Sequence, residues 1–409
     1  MVSNEAEIRS TIPLHEHETI TTTLLSAGEA QALAACFEPY LVVRPGWGGV
    51  WELTARQYVG TIELDGLRIV IAPKVPTDNL FYMLTYAYEL PKLHDESSKA
   101  AQSEDLFEFV VDIFVSQVEQ LVTQGVLRTY LVLEEDAPYL RGRLQMAQQV
   151  RHDAVQPGRF WQESADYTAD VLENRILKWT LWHLSRADYR NPLLKSRVRR
   201  ALTSFTEVSL TPVTEDDFDR IVYTRLNVAY ESRINLARLL LQHRSVEGKE
   251  GDVSFAAYLL DMNRAFELFV AHYLADYFAA ASGPGRSLDV EIQRQIWLDE
   301  SQREPVRPDI ILRRNGSRFL VLDTKHKRLQ GSPEEGDRRE MLEYCNTLHL
   351  RRGVLIYSDG APLTMDHPYP GGMSWALRTE VLPLTGSLAE FRARCDAFAE
   401  RFADTVTHE

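Results

Sequence analysis

Two short apolar runs, residues 310–312 and 319–322, stand on either side of Asn315-Gly316, and that arrangement dictates the local fold. An Asn-Gly pair accepts the positive φ angles of a two-residue turn, so the runs flanking it pair as an antiparallel hairpin. Pro308-Asp309 opens the first strand, and Asp323-Thr324-Lys325 closes the second. The turn brings two carboxylates, 14 residues apart in the chain, and one ammonium to neighbouring places. Side chains alternate along a strand, so Lys325 returns to the face of Asp323. Thr324 is expected to point to the opposite face, with its carbonyl turned toward the acids.

Pro-Asp, a hairpin and Asp-x-Lys in this order resemble the PD-(D/E)xK nucleases, and the resemblance implies metal-dependent DNA cleavage. The residue types suit that chemistry. Phosphodiester hydrolysis needs a hard cation to draw off charge and activate water. Mg²⁺, with Mn²⁺ as an alternative, takes oxygen ligands and keeps several waters, so one or two carboxylates suffice. Asp309 and Asp323 are the expected metal ligands. Lys325 is expected to orient the attacking water or to stabilise the pentavalent phosphate. The bland alternative is a surface hairpin with ordinary charges at its ends. Asp-x-Lys alone is common, and only the combination is specific.

Glu267 lies within an apolar helical stretch beside Phe266, Leu268, Phe269 and Val270. A carboxylate there is costly unless paired or bound to metal, so Glu267 is a candidate third ligand, set against a solvated face near Arg264. Related nucleases often carry Gln-x-x-x-Tyr after the catalytic lysine. This chain has Glu340 and Tyr344 at those places, and the reading favours an exposed helix acid for Glu340 and weighs packing equally with a site role for Tyr344. His326 is read as structural or surface. The Trp47-Gly48-Gly49-Val50-Trp51 segment is read as packing rather than as a partner-contacting loop.

The 409 residues suggest several domains, and 44% hydrophobic with 25% charged residues is a globular composition. The expected architecture is a multidomain α+β and α/β chain. It has a β-rich domain over residues 1–78 that contacts a partner, a mainly helical middle over 79–250, and a nuclease domain over 251–409 with a mixed sheet flanked by helices. Strands are expected at residues 40–43, 50–53, 58–64 and 67–71, with Asp65-Gly66 turning between the last two. Helices are expected at 79–90, 103–124, 171–185 and 226–243, with a strand at 127–133. The third domain reads as a helix over 255–281, strands at 288–298, 309–313 and 318–323, a helix at 338–348, a strand at 353–357 and a closing helix at 388–403. Three scattered cysteines fit a reducing, cytoplasmic setting, and no apolar run approaches a membrane span. The net charge of −14 looks wrong for a DNA-binding chain, yet residues 286–330 hold ten Lys/Arg against seven Asp/Glu. Arg303, Arg307, Arg313, Arg314, Arg318, Lys327 and Arg328 crowd the hairpin.

Further segments resemble the McrC family, the nuclease subunits of McrBC-type modification-dependent (5-methylcytosine) restriction systems. They are Tyr58-Val59-Gly60 with Ile71-Ala72-Pro73-Lys74-Val75, Tyr139-Leu140-Arg141-Gly142-Arg143-Leu144, and Leu172-Glu173-Asn174-Arg175-Ile176-Leu177-Lys178. Arg307-Pro308-Asp309 and Leu322-Asp323-Thr324-Lys325-His326-Lys327 complete the set. The resemblance implies an endonuclease subunit that acts on DNA with a separate McrB-like AAA+ GTPase hexamer. In that division of labour the partner recognises modified DNA, and the N-terminal part of the nuclease subunit inserts into the ring and stimulates GTP hydrolysis. The chain carries no GxxxxGK[ST] phosphate loop, which agrees with it. The alternatives are a non-catalytic adaptor of a AAA+ protein and a stand-alone nuclease.

Overall fold

The computed structural model describes residues 10–64, 66–88, 106–153, 158–187, 189–242, 248–250, 253–281, 288–292, 296–297, 305–361, 363–368 and 374–407. Asp65, Pro157, the glycine-proline stretch at 282–285 and Arg303 fall outside them. The chain forms two compact units: one joins residues 1–107 to 243–409, and the other is residues 108–242.

The composite unit holds two large sheets. The first runs in the order Ser10–His15, Leu67–Ala72, Tyr58–Leu64, Val253–Asp261, Gly248–Glu250, with the first pair parallel and the rest antiparallel. Its buried side chains, among them Ile12, Leu14, Ile62, Ile69 and Leu259, close over Leu33 of the helix Ala27–Cys36 and Phe37 just after it. That helix starts at a capping box: Glu29 N–H donates to Ser26 Oγ at 3.2 Å, and Ser26 N–H donates to the Glu29 carboxylate at 2.7 Å. A smaller sheet of Thr19–Thr22, Trp51–Ala55 and Leu41–Pro45 packs beside it.

The division at residues 78 and 250 does not describe how strands are shared, because the N-terminal sheet takes Val253–Asp261 from beyond the second boundary. Residues 255–281 are also not one helix. Val253–Asp261 is a strand, and the helix runs Met262–Ala281. The apolar run fits both periods. The decisive residue is Asp261, whose Oδ1 accepts the N–H groups of Asn263 and Arg264 at 2.9 and 3.2 Å and so starts the helix there. The strand is possible because Gly60 sits opposite it at φ +138, where a Cβ would lie 2.1 Å from the Tyr258 carbonyl oxygen.

The second sheet is mixed. Its order is Leu288–Ile292, Ile310–Arg314, Ser317–Arg328, Arg352–Asp359, Ser374–Val381, Leu363–Pro368. The hairpin pairs Ile310 with Leu322, and Ser317–Arg328, Arg352–Asp359 and Ser374–Val381 run parallel. The helix Glu335–Thr347 makes the crossover and lies close on the sheet, because Gly353 leaves room for Met341 and Cys345. The expected order of helix, three strands, helix, strand is present. The strands at 363–368 and 374–381 were not anticipated.

Three helices, Thr77–Ala87, Met262–Ala281 and Leu388–Thr407, share an aromatic cluster of Tyr82, Tyr86, Phe269, Tyr273 and Phe391. Asn79, wholly buried, donates to the Leu384 and Gly386 carbonyls at 2.8 and 3.0 Å. The aromatic loop at residues 46–50 is not uniformly packed. Trp51 lies against the core, whereas Trp47 is 98% exposed at a hairpin tip where Gly48 and Gly49 take positive φ.

The second unit contains the expected helices, at Leu106–Gln124, Leu172–Leu184 and Glu231–Gln242, and a helix at Pro192–Thr203 that the sequence reading did not include. It also holds a three-stranded sheet in the order Thr129–Ala137, Phe160–Thr168, Arg143–Leu144. The strand Phe160–Thr168 carries no apolar alternation because its buried positions are polar: Gln162 and Ser164. Among the described residues no helix is long and apolar enough to cross a membrane.

Gly60→Ala should forbid the approach to Tyr258. The expected cost is about 1–3 kcal/mol from the strained φ, seen as a lower urea midpoint at unchanged slope. An unshifted midpoint would show that the two strands can part without loss.

Candidate active site

The hairpin delivers its charges as the register requires. Ile310 opposes Leu322, so Asp309 and Asp323 stand one step beyond the last ladder pair. Asp309 lies in the bend before the strand and is not held in the pleat. Its Oδ2 accepts both the Thr324 N–H and the Thr324 hydroxyl, each at 2.7 Å. Thr324 therefore does not simply face away. Free of the ladder, the Asp309 side chain reaches round to it.

Asp323 is 3% exposed. Lys325 Nζ lies 2.7 Å from Asp323 Oδ2 and 2.7 Å from Glu340 Oε2. The ammonium thus lies between the two carboxylates, and the buried Asp323 oxygen is paired with it. Glu340, its side chain 42% exposed, is a surface helix acid that also pairs with Lys325. Its second oxygen accepts the Tyr344 hydroxyl at 2.8 Å, so Tyr344 is more than packing. Glu267 is largely covered, pairs with Arg264 at 3.1 Å and hydrogen-bonds to the Asp309 side chain.

Sequence reasoning missed the neighbouring Asp337. It is buried, accepts the Tyr357 hydroxyl at 2.7 Å and pairs with Lys327 at 3.0 Å. A readable signal existed. Asp337, Glu340 and Tyr344 recur at helical spacing, and Lys325 and Lys327 recur at strand spacing, so a helix crossing that strand matches acid to base.

Burial raises Asp309 above the ordinary carboxylate range, despite the Thr324 donors and the Lys325 charge. Burial raises Asp323 much further, and the charges of Asp309 and Glu340 add to it. Burial alone would lower Lys325, but Asp323 and Glu340 outweigh it and hold the ammonium charged. The two ends of one ion pair thus respond in opposite senses. Lys325 meets only carboxylates, whereas Asp323 meets one ammonium and two further carboxylates. Four acids, Asp309, Asp323, Glu267 and Glu340, gather here, with Lys325 and Arg264 as the basic groups paired with them among the described residues.

A family model described as McrBC 5-methylcytosine restriction system component matches residues 53–358. The chain belongs to this family, as an McrC-type subunit. The type IV methyl-directed restriction enzyme EcoKMcrBC of Escherichia coli (strain K12) is 28% identical over 144 residues, 34% of this chain. The aligned stretch spans 41% of that relative's length. A chain of the refined half-complex from a tetradecameric assembly of Thermococcus gammatolerans McrB AAA+ hexamers with bound McrC shares the fold. It has a TM-score of 0.57 at 20% identity, over 96% of this chain and all of that one.

The raised carboxyls carry a stability consequence. An acid whose folded pKa lies above its unfolded value penalises the fold where it is ionised, and the penalty disappears as pH falls through the folded pKa. In metal-free buffer at pH 8, Asp323→Asn should raise the melting temperature by roughly 1–2 °C, the equivalent of about 1 kcal/mol in a chain of this size. The advantage should shrink on titration toward pH 5. A variant that melts below the parent at pH 8 would show that the carboxylate is held by net attraction.

Proposed function

We propose that the chain is a metal-dependent DNA endonuclease subunit whose hairpin site is of the PD-(D/E)xK type and which works with a McrB-like AAA+ GTPase. The observation that supports it most is the gathering of acids around Lys325, with Asp323 buried among them. A protein does not retain such a gathering cheaply without a cation.

The donor set suits Mg²⁺ or Mn²⁺. Asp323 is buried with its Oδ2 facing the Lys325 ammonium, and Asp309 is oriented by Thr324. Asp309 and Asp323 would hold the ion, with Glu267 acting on or through Asp309. Among the described residues no three His, Cys, Asp or Glu side chains form a ready-made cage. Mg²⁺ does not need one, since it keeps waters and uses one or two carboxylates. When bound, the ion would supply charge withdrawal from the phosphate and an activated water. Lys325 stays protonated between two acids, so its role is to stabilise negative charge on the phosphoryl oxygens rather than to accept a proton. Glu340 holds the ammonium in place, and Tyr344 holds Glu340.

The AAA+ partner follows from the relatives, whose assembly joins McrB hexamers to McrC. The exposed Trp47 fits that reading, since a rigid aromatic on a glycine-bounded tip is the kind of residue that dominates an interface.

Lys325→Ala should slow partner-dependent cleavage about 100-fold or more with DNA affinity nearly unchanged. Independently of cleavage, Mn²⁺ titrated by calorimetry should bind the parent chain and should not bind Asp309→Asn. Equal binding by both would remove the metal assignment. Trp47→Ala should cut the stimulation of the partner's GTP turnover about tenfold or more while metal binding persists. Undiminished stimulation would place the partner contact elsewhere.

A further inference from the structure

The strand Ser317–Arg328 is anchored unevenly. It runs in register with Arg352–Asp359 up to Lys325, which lies opposite Tyr357. The next partnered position is Arg328 with Asp359, so a bulge falls on His326 and Lys327. A bulge releases a strand from its ladder and re-aims its side chains, commonly beside active sites. The ladder therefore does not fix Lys325 on its C-terminal side.

Another contact does. His326 points away from the acid cluster, and its Nε2 lies 3.1 Å from Glu16 Oε2, with both side chains buried. Glu16 occupies the turn between Ser10–His15 and Thr19–Thr22 and is 1% exposed. Its Oε1 accepts the Lys74 N–H at 2.9 Å, and its own N–H donates to the Ala72 carbonyl at 3.1 Å. Burial would raise the Glu16 carboxyl, but His326 and the Lys74 N–H more than offset it and hold Glu16 below the usual range. A charged carboxylate built into the N-terminal sheet thus grips the residue that follows Lys325. The other flank of the imidazole meets Phe266, 5.9 Å between ring centroids, and Phe266 immediately precedes Glu267.

We propose that Glu16 and His326 form a positioning contact through which the N-terminal β unit sets the placement of Lys325 and Glu267. His326 is not a catalytic residue, because it faces away from the reacting groups. It is a joint: one imidazole lies next in sequence to the ammonium, packs against the residue before one site acid, and is held by the turn that joins the first sheet to the smaller sheet bearing the Trp47 hairpin. A displacement of the N-terminal unit would be felt first at the bulge, where the strand has no ladder to resist it. The functional half of the proposal rests on the nuclease reading above. The mechanical half stands without it.

The test uses the full chain, as parent, Glu16→Ala, Glu16→Gln and the double variant Glu16→Gln/His326→Gln. Hydrogen exchange of peptides covering residues 322–328 should accelerate about tenfold in Glu16→Ala, with the central strand Arg352–Asp359 unchanged. With a McrB-like partner, GTP and Mg²⁺, cleavage per GTP hydrolysed should fall about tenfold while GTP turnover stays within about twofold. The neutral amide pair, able to hydrogen-bond across the same gap, should recover most of the cleavage. If Glu16→Ala fails to fold, Glu16→Gln should show the same pattern at smaller size. Unchanged exchange at 322–328 would overturn the contact's positioning role. Faster exchange with undiminished cleavage would overturn the transmission. A parent chain that never cuts would overturn the nuclease reading alone, because the exchange result still judges the contact.

Discussion

The ammonium of Lys325 is the charge on which the site depends. It sits 2.7 Å from each of two carboxylates, one nearly buried and one on the neighbouring helix. Without it, Asp323 would face Asp309 and Glu340 with no opposing charge, in a place where burial already disfavours ionisation. The ion pair also joins two elements, since Asp323 and Lys325 belong to the long strand and Glu340 to the helix that crosses it. Lys327 and Asp337 repeat the same linkage two residues along the strand and three residues earlier on the helix. The helix is thus registered on the sheet by charge at one face and by the close packing at Gly353 at its other end.

The family segments in the second unit serve a different purpose from those at the hairpin. Asn174 is wholly buried and donates to the Leu127 and Ala169 carbonyls, while its oxygen accepts the Tyr230 hydroxyl at 2.8 Å. Arg175 makes a two-pronged contact with Asp170, whose carboxylate also accepts the Ser209 N–H and hydroxyl. Lys178 donates to the carbonyls of Phe205 and Val208. Asn174 and Lys178 tie the helix to loop carbonyls and Arg175 ties it to the Asp170 carboxylate, so all three fasten the helix to neighbouring loops. The Arg141-Gly142 segment is likewise held by the buried Gln162, which accepts both of its N–H groups at 2.6 and 2.8 Å. These motifs are read most simply as fold-determining.

What was legible in the sequence follows a physical division. The hairpin, its turn and the pairing of Asp309 with Asp323 were readable because a two-residue turn fixes register and register fixes which side chains meet. The helix order around the second sheet was readable from periodicity. The strand Val253–Asp261 was not, because an apolar run of nine residues carries no period that separates strand from helix, and its partner strand lies almost 200 residues earlier. The strand Phe160–Thr168 was hidden by buried polar residues whose partners are set by tertiary structure. The pairing of Glu340 with Lys325 was hidden for a related reason. The lysine lies 15 residues away, and only the crossover brings the two together.

The arginine crowding around the hairpin turns out to be mostly internal. Arg313 and Arg318 share Glu291 at 2.8 and 3.1 Å, Arg313 also donates to the Gly316 carbonyl, and Arg314 lies over the Phe319 ring at 5.0 Å. Lys327 is shared between Glu334 and Asp337, and Arg328 approaches Asp359 at 3.7 Å. A phosphate that engaged these side chains would have to compete with carboxylates already in place. Affinity for DNA grows with the number of phosphates neutralised, and each partnered cation contributes less to that number. The local excess of basic residues counted in the sequence therefore overstates the positive surface available to a duplex, and the chain as a whole carries a net charge of −14. On the nuclease reading, a site of this kind binds DNA weakly by itself and cuts where another protein holds the duplex against it. That is the behaviour expected of a subunit whose substrate is delivered, and it gives a physical reason for cleavage to depend on the partner.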